Sequence, residues 1–301
     1  RPLRLYYSAD SLRVQAGQIR TARQFTQLGC ECIGLDDLEI DLEICVMALS
    51  ALKALEIKNI TLDFAIPGLV PDILESLDLT QADKEKVQKS LQQKDLISVT
   101  REMSENKEVF QSLQETVGPA RPGLVALSDL PGLSENNRAL INRMLCLVDK
   151  LEGVCTDLDF TDVKFTVDPL ETLGFDYHSG FGFTLFCGAL QGELGRGGRY
   201  KASFMNDTGS EKGEKTPVES ACGFSLYTDN LRRLVGQAEN HDCLAVPQTL
   251  DWKKLQDFFK QGWKIVRLPH PGKDLSDDDL MDMGCTHKYC NNEIIKLSQR
   301  K

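Results

Sequence analysis

A chain of 301 residues, 41% hydrophobic and 27% charged, holds enough apolar material for one large core and one or two smaller ones. No run approaches the roughly 20 apolar residues of a membrane span, and the N-terminus lacks the basic-then-apolar pattern of a secretory leader, so a folded cytoplasmic protein is expected. A net charge of −10 and a pI near 5.0 speak against a dedicated nucleic-acid binder, whose affinity rests on Lys and Arg neutralising phosphates. Ten cysteines without a CxxC pair read as reduced core residues, and Cys285 and Cys290 around His287 have the wrong spacing for zinc.

In chain order, Leu3 to Leu12 and Arg23 to Gly34 alternate loosely and predict an antiparallel pair of strands. Asp36 offers an N-cap to a helix from Leu38 to Leu55, whose apolar residues recur at helical spacing, and Ile60 to Phe64 follows as a short strand. From Pro67 to about Glu135 the chain turns to short, charged, helix-forming pieces broken by prolines, which predicts a helical insertion. A helix from Asn137 to Leu151, a strand from Val163 to Val167 and a Gly- and aromatic-rich stretch of consecutive strands come next. Ala221 to Tyr227 is a strand and Asp229 to Val235 a helix behind it. Beyond Gly236 the pattern resets to strand, helix, strand, helix, strand, the signature of a small α/β domain. The expected organisation is a core in two parts, residues 1–66 and 137–237, an insertion over 67–136, and a C-terminal domain over 238–301.

The familiar catalytic constellations are missing from the sequence: there is no GxSxG elbow, HExxH, Walker lysine loop or dinucleotide fingerprint. The run Gly192 to Gly198 lacks the following helix that a phosphate cradle needs, so its glycines are read as letting strands approach closely. Gln27 and Glu31 are the more informative pair. In an alternating strand, residues 27, 29 and 31 share a face while Cys30 and Cys32 turn away, so two polar groups flank a glycine. That is a floor for a small polar ligand, although spacing alone also suits an ordinary solvated strand. Arg13, on the paired strand, is placed to meet an anion.

The order of motifs resembles a known family. LYYSADSLRVQ followed by ARQFTQLGCECIG is similar to the second signature of class II aminoacyl-tRNA synthetases in its histidyl form. GFDYHSGFGFTLF and GRGGRY resemble that family's two histidine-pocket segments, and SACGFSLYTDNL stands where the third signature belongs. The resemblance implies an α+β fold, a class II synthetase-like antiparallel sheet flanked by helices, with a helical insertion and a small C-terminal α/β domain. The first signature is absent from this chain, and a further N-terminal portion is expected in the natural protein. By resemblance, Gln27, Glu31, Tyr177, His178 and Tyr200 form a histidine-like pocket, and Arg13 and Arg199 are candidates for an anion contact.

The departures from the family cluster on ATP. Leu173 and Asn230 stand at two positions where the family has catalytic arginines, His178 replaces an imidazole-contacting tyrosine, and Gln15 and Thr21 replace further second-signature residues. Losing one fixed cation from a phosphoryl or adenylyl transfer site costs on the order of 2 to 4 kcal/mol of transition-state stabilisation, so losing two speaks against amino-acid activation. The pattern resembles the synthetase-like regulatory subunits of the short-form ATP phosphoribosyltransferase. That resemblance implies a non-catalytic protein without a cofactor, a dimer that joins separate catalytic subunits in a hetero-octamer, and histidine as effector in histidine biosynthesis. Neither a membrane nor tRNA is expected as a partner. The alternative is a divergent histidyl-tRNA synthetase.

Overall fold

The computed structural model describes residues 2–12, 24–93, 95–102, 107–171, 177–203, 218–235, 242–268 and 275–298. The chain divides into two compact units, Arg1–Val235 and Gly236–Lys301. Among the described residues, no helix is long and apolar enough to cross a membrane.

The first unit is built on an eight-stranded sheet. Its strands are β1 (Leu3–Leu12), β2 (Gln24–Ile33), β3 (Ile60–Ala65), β4 (Gly118–Pro119), β5 (Val163–Val167), β6 (His178–Cys187), β7 (Gly195–Ser203) and β8 (Val218–Tyr227). They lie in the order β1-β2-β8-β7-β6-β3-β5-β4, antiparallel throughout except for the parallel pair β3 and β5. The first pair has the expected hairpin register, Leu3 opposite Ile33 and Leu12 opposite Gln24.

Alternation gives this sheet two unlike faces. One carries Cys32, Cys222, Phe183, Leu185, Leu62 and Phe64, all essentially inaccessible. It is covered by two helices, α1 (Leu38–Ala54) and α7 (Glu135–Asp157), which also pack on each other. Each leucine or phenylalanine fully buried here contributes about 1.5 to 3 kcal/mol. Between β3 and α7 the chain folds into α2 (Leu69–Ser76), α3 (Gln81–Gln92), α4 (Leu96–Glu102), α5 (Lys107–Glu115) and α6 (Ala120–Ser128). Their buried residues, Leu74, Val87, Leu91, Phe110 and Leu124 among them, join the same apolar cluster. α8 (Thr228–Leu234) follows β8 directly.

The entry to α1 is fixed by charge as well as by packing. Asp37 caps the helix by accepting from the Glu39 N–H at 2.9 Å. One turn in, Asp41 is fully buried, a position a carboxylate tolerates only when paired. Arg199 of β7 donates to its Oδ1 from Nε at 2.8 Å and Nη2 at 2.5 Å, and Arg143 of α7 donates to its Oδ2 from Nε at 2.7 Å. Arg199 also donates to the Leu35 carbonyl at 2.9 Å and the Ser220 hydroxyl at 2.7 Å. One carboxylate therefore ties α1, α7 and β7 together.

The second unit has a four-stranded sheet of β9 (Cys243–Val246), β10 (Lys264–Arg267), β11 (His287–Cys290) and β12 (Glu293–Lys296), in the order β10-β9-β11-β12. Helix α9 (Trp252–Lys260) buries Leu255 and Phe258 against Leu244, Val246 and Tyr289. Helix α10 (Asp277–Asp282) buries Leu280 with Ala245, Cys285 and Leu297, and so covers the other face. Strand β11 is not legible in the sequence, because Tyr289 is its one buried residue. Its turn to β12 runs through Asn291 and Asn292 at φ of 52° and 70°, the left-handed pair that a tight hairpin requires.

Breaking the Asp41 junction leaves the buried Arg199 guanidinium only the exposed Asp36 carboxylate, 3.6 Å away, as counter-charge. Asp41→Ala is expected to lower the unfolding free energy by about 3 to 5 kcal/mol in denaturant titrations, whereas Asp36→Ala, at an exposed carboxylate, should cost under about 1 kcal/mol.

Candidate functional site

The other face of the same sheet is polar where β1, β2, β8, β7 and β6 run side by side. Pairing places Gln27, Gly29 and Glu31 opposite Tyr227, Ser225 and Gly223 on β8, and Gly223 opposite Gly198 on β7. Tyr200 of β7 pairs with His178 of β6. Of the five residues expected in the pocket, Glu31, Tyr177, His178 and Tyr200 are brought together, whereas Gln27 shares their face of the sheet but lies farther along it, opposite Tyr227.

Glycines make this face a flat floor. A methyl group placed on Gly223 would sit 1.7 Å from Glu31 Oε2 and 2.6 Å from the Cys30 carbonyl oxygen, so the Glu31 side chain lies directly across β8. A methyl on Gly198, whose φ is +147°, would meet the His178 ring at 2.6 Å. A methyl on Gly29 would meet the Phe224 carbonyl oxygen at 2.0 Å and the Tyr7 hydroxyl at 2.7 Å. Bare backbone on three adjacent strands lets a carboxylate, an imidazole and a phenol lie flat side by side.

Having crossed Gly223, Glu31 reaches β7, where the Tyr200 hydroxyl donates to Oε2 at 2.8 Å. Burial holds the Glu31 carboxyl above the usual carboxylate range, and the Tyr200 hydrogen bond opposes that shift. The Tyr200 phenol is pushed well above its ordinary value, first by burial and then by the Glu31 charge, so it stays a proton donor. The Tyr177 ring stands edge-on to Tyr200 with centroids 5.8 Å apart and lies 4.3 Å from the His178 ring, and it is 66% exposed, an open wall for the floor. A carboxylate under aromatic rings suits a small ligand bearing an ammonium or imidazole N–H.

Arg199 is not brought to this face. It sits one residue before Tyr200 and so points the opposite way, into the Asp41 junction. Among the described residues, Arg196 is a cation on the polar face, in an ion pair with Glu193. Asn230 is buried and donates from Nδ2 to the Glu193 carbonyl at 2.7 Å, so its side chain secures the turn between β6 and β7. Arg13, Gln15, Thr21 and Leu173 lie outside the described residues. An open cleft of about 680 Å³ at the far edge of the sheet, lined by Arg121, Glu152, Phe160, Lys164 and others, contains none of the expected residues.

Tyr7 and Ser225 also belong to the floor, and the sequence reading passes over them. The signal was the alternation already used for Gln27 and Glu31: once β1 is paired with β2, Tyr7 must face Gly29. Arg196 follows from Tyr200 by the same period of two, with Gly198 between them.

The histidyl-tRNA synthetase family profile matches residues 1–231. The chain is 33% identical to the ATP phosphoribosyltransferase regulatory subunit of Rhodospirillum centenum, an alignment covering 100% of this chain and 73% of that protein. The chain belongs to this family of regulatory subunits, built on the histidyl-tRNA synthetase fold. Among solved structures it is similar to an ATP phosphoribosyltransferase regulatory subunit/histidyl-tRNA synthetase from Bacillus halodurans, with a TM-score of 0.69 and 21% identity over 96% of this chain and 73% of that one. A chain of an ATP phosphoribosyl transferase complex from Thermotoga maritima matches with a TM-score of 0.55 and 16% identity over 75% of this chain and 73% of that one. At these identities the solved structures establish the fold, the class II synthetase fold with its large sheet and flanking helices.

In this member of the family the Glu31 carboxyl has a raised pKa when folded, so the folded state holds a proton that the unfolded chain has already released. Stability contributed at Glu31 is therefore lost as pH rises from the ordinary glutamate value through the raised one. Glu31→Gln should remove that loss: its unfolding free energy is expected to fall less than that of the parent as pH rises above about 4.5, measured by urea titration at each pH.

Proposed function

We propose that the chain is a non-catalytic subunit that binds histidine on the Glu31 face and makes a separate ATP phosphoribosyltransferase catalytic chain responsive to it, at the first step of histidine biosynthesis. The observation that carries this reading is the division of the polar face. Glu31, Tyr200 and Tyr177 meet around a glycine floor, with Gln27 on the same face farther along β2, which supports an amino-acid half of the face. In its other half an amide, Asn230, bonds to backbone where the synthetases have an arginine, and Arg196 is neutralised by Glu193. Leu173 removes the second arginine from the sequence. Such a face suits an amino acid, while two of the fixed cations by which the synthetases stabilise an adenylate-forming transition state are replaced, at Leu173 and Asn230.

The regulatory names of the relatives and the two-component assembly named in the Thermotoga maritima structure support a partner catalytic chain. The full assembly is a dimer of this chain within a hetero-octamer, in the cytoplasm. The segment 67–136 is an insertion into a core formed by 1–66 and 137–237, and 238–301 forms a domain whose role is packing or subunit contact. Histidine inhibits by binding one global state of that assembly better than another, because equal affinity for both states shifts nothing.

A divergent histidyl-tRNA synthetase would contain the same amino-acid floor, so the test concerns ATP. The purified chain is expected to give no histidine-dependent ATP–pyrophosphate exchange while stimulating phosphoribosyl transfer by the short catalytic chain. Histidine-dependent exchange overturns the reading. In the assembled complex, Gln27→Ala and Glu31→Ala should each raise the histidine concentration for half-inhibition by about tenfold or more, the loss of a charge-assisted hydrogen bond. An unaltered response removes this face from the regulation.

A further inference from the structure

Tyr7 lies within the assembled floor without a role in the pocket described so far. It projects from β1, crosses β2 above Gly29 and reaches β8, where its hydroxyl is 2.5 Å from Ser225 Oγ. Gly29 is the midpoint between Gln27 and Glu31, each about 7 Å along the strand. The Tyr7 hydroxyl therefore sits under the centre of any ligand that spans those two side chains. Burial raises the Tyr7 pKa, against the pull of the Ser225 hydrogen bond, so the phenol stays neutral and keeps its proton. Whichever of the two hydroxyls donates in that bond, the Tyr7 oxygen retains a lone pair to receive a ligand N–H.

We infer that Tyr7 is a ligand-contacting residue of this pocket, accepting an N–H of the bound amino acid between Gln27 and Glu31, and that Ser225 is its positioning residue. This inference rests on the reading of the Glu31 face as a histidine site. The Ser225 hydroxyl meets the phenol that overlies its own cross-strand neighbour, Gly29. A phenol attached only through its ring would swing about its side-chain torsions. Anchored at both ends across three strands, it presents its oxygen at one fixed place, and pre-ordering of that kind raises affinity by removing the cost of ordering the side chain on binding.

The test is a double-mutant cycle read by calorimetric titration of the full chain with L-histidine, with thermal melting of each variant as the folding control. Tyr7→Phe keeps the ring and is expected to weaken histidine about tenfold, the scale of a hydrogen bond to a charged group. Ser225→Ala should weaken it several-fold by releasing the phenol. The double variant should bind like Tyr7→Phe alone, because Ser225 acts only through the Tyr7 hydroxyl. Wild-type affinity in Tyr7→Phe, or penalties that multiply in the double variant, overturns the inference, and it does so without touching the pocket reading if Gln27→Ala still loses histidine. Absence of histidine binding by the parent chain overturns both.

Discussion

Arg199 and Tyr200 are consecutive residues of one strand, and the period of two sends them to opposite faces of the sheet. Arg199 closes the buried junction with Asp41 that sets α1 and α7 on the core face. Tyr200 closes the hydrogen bond with Glu31 that shapes the polar face. The two contacts share a backbone, so the pocket wall is held by the same strand that anchors the helices. A shift of one residue in the register of β7 would put a tyrosine at a buried carboxylate and a guanidinium on the ligand floor, and both faces would fail at once.

The polar face has a consistent physical logic. Side chains of a sheet normally stand up from it, which leaves little room for a small ligand to touch more than one strand. Here Gly29, Gly223 and Gly198 remove that obstacle, and the side chains of Tyr7, Glu31 and His178 lie across them. The same arrangement buries the Glu31 carboxyl enough to raise its pKa, so a ligand that brings a positive charge or an N–H donor relieves an existing strain on the charged form. At Asn230, by contrast, the amide is spent on the Glu193 carbonyl and holds a turn.

Much of this was legible in the chain itself. Alternation in Arg23 to Gly34 placed Gln27 and Glu31 on one face, and the order of motifs gave the synthetase fold and the regulatory family. Arg199 was not legible in the same way. Its neighbours GRGGRY suggest an anion contact, but its fate depends on Asp41, 158 residues away and on another element. Tyr7 required the pairing of β1 with β2 before its position over Gly29 had meaning. Strand β11 escaped because a short central strand with a single buried residue carries no apolar pattern. Contacts set by alternation within one strand are written locally, whereas those set by the meeting of distant strands appear only once the sheet is assembled.

The most direct test of a histidine floor on this sheet is a crystal structure of the full chain grown with saturating L-histidine. The account predicts density for the amino acid above Gly29, spanning Gln27 and Glu31 and walled by Tyr177 and Tyr200. Histidine bound elsewhere on the chain, with this floor vacant at saturation, would contradict it.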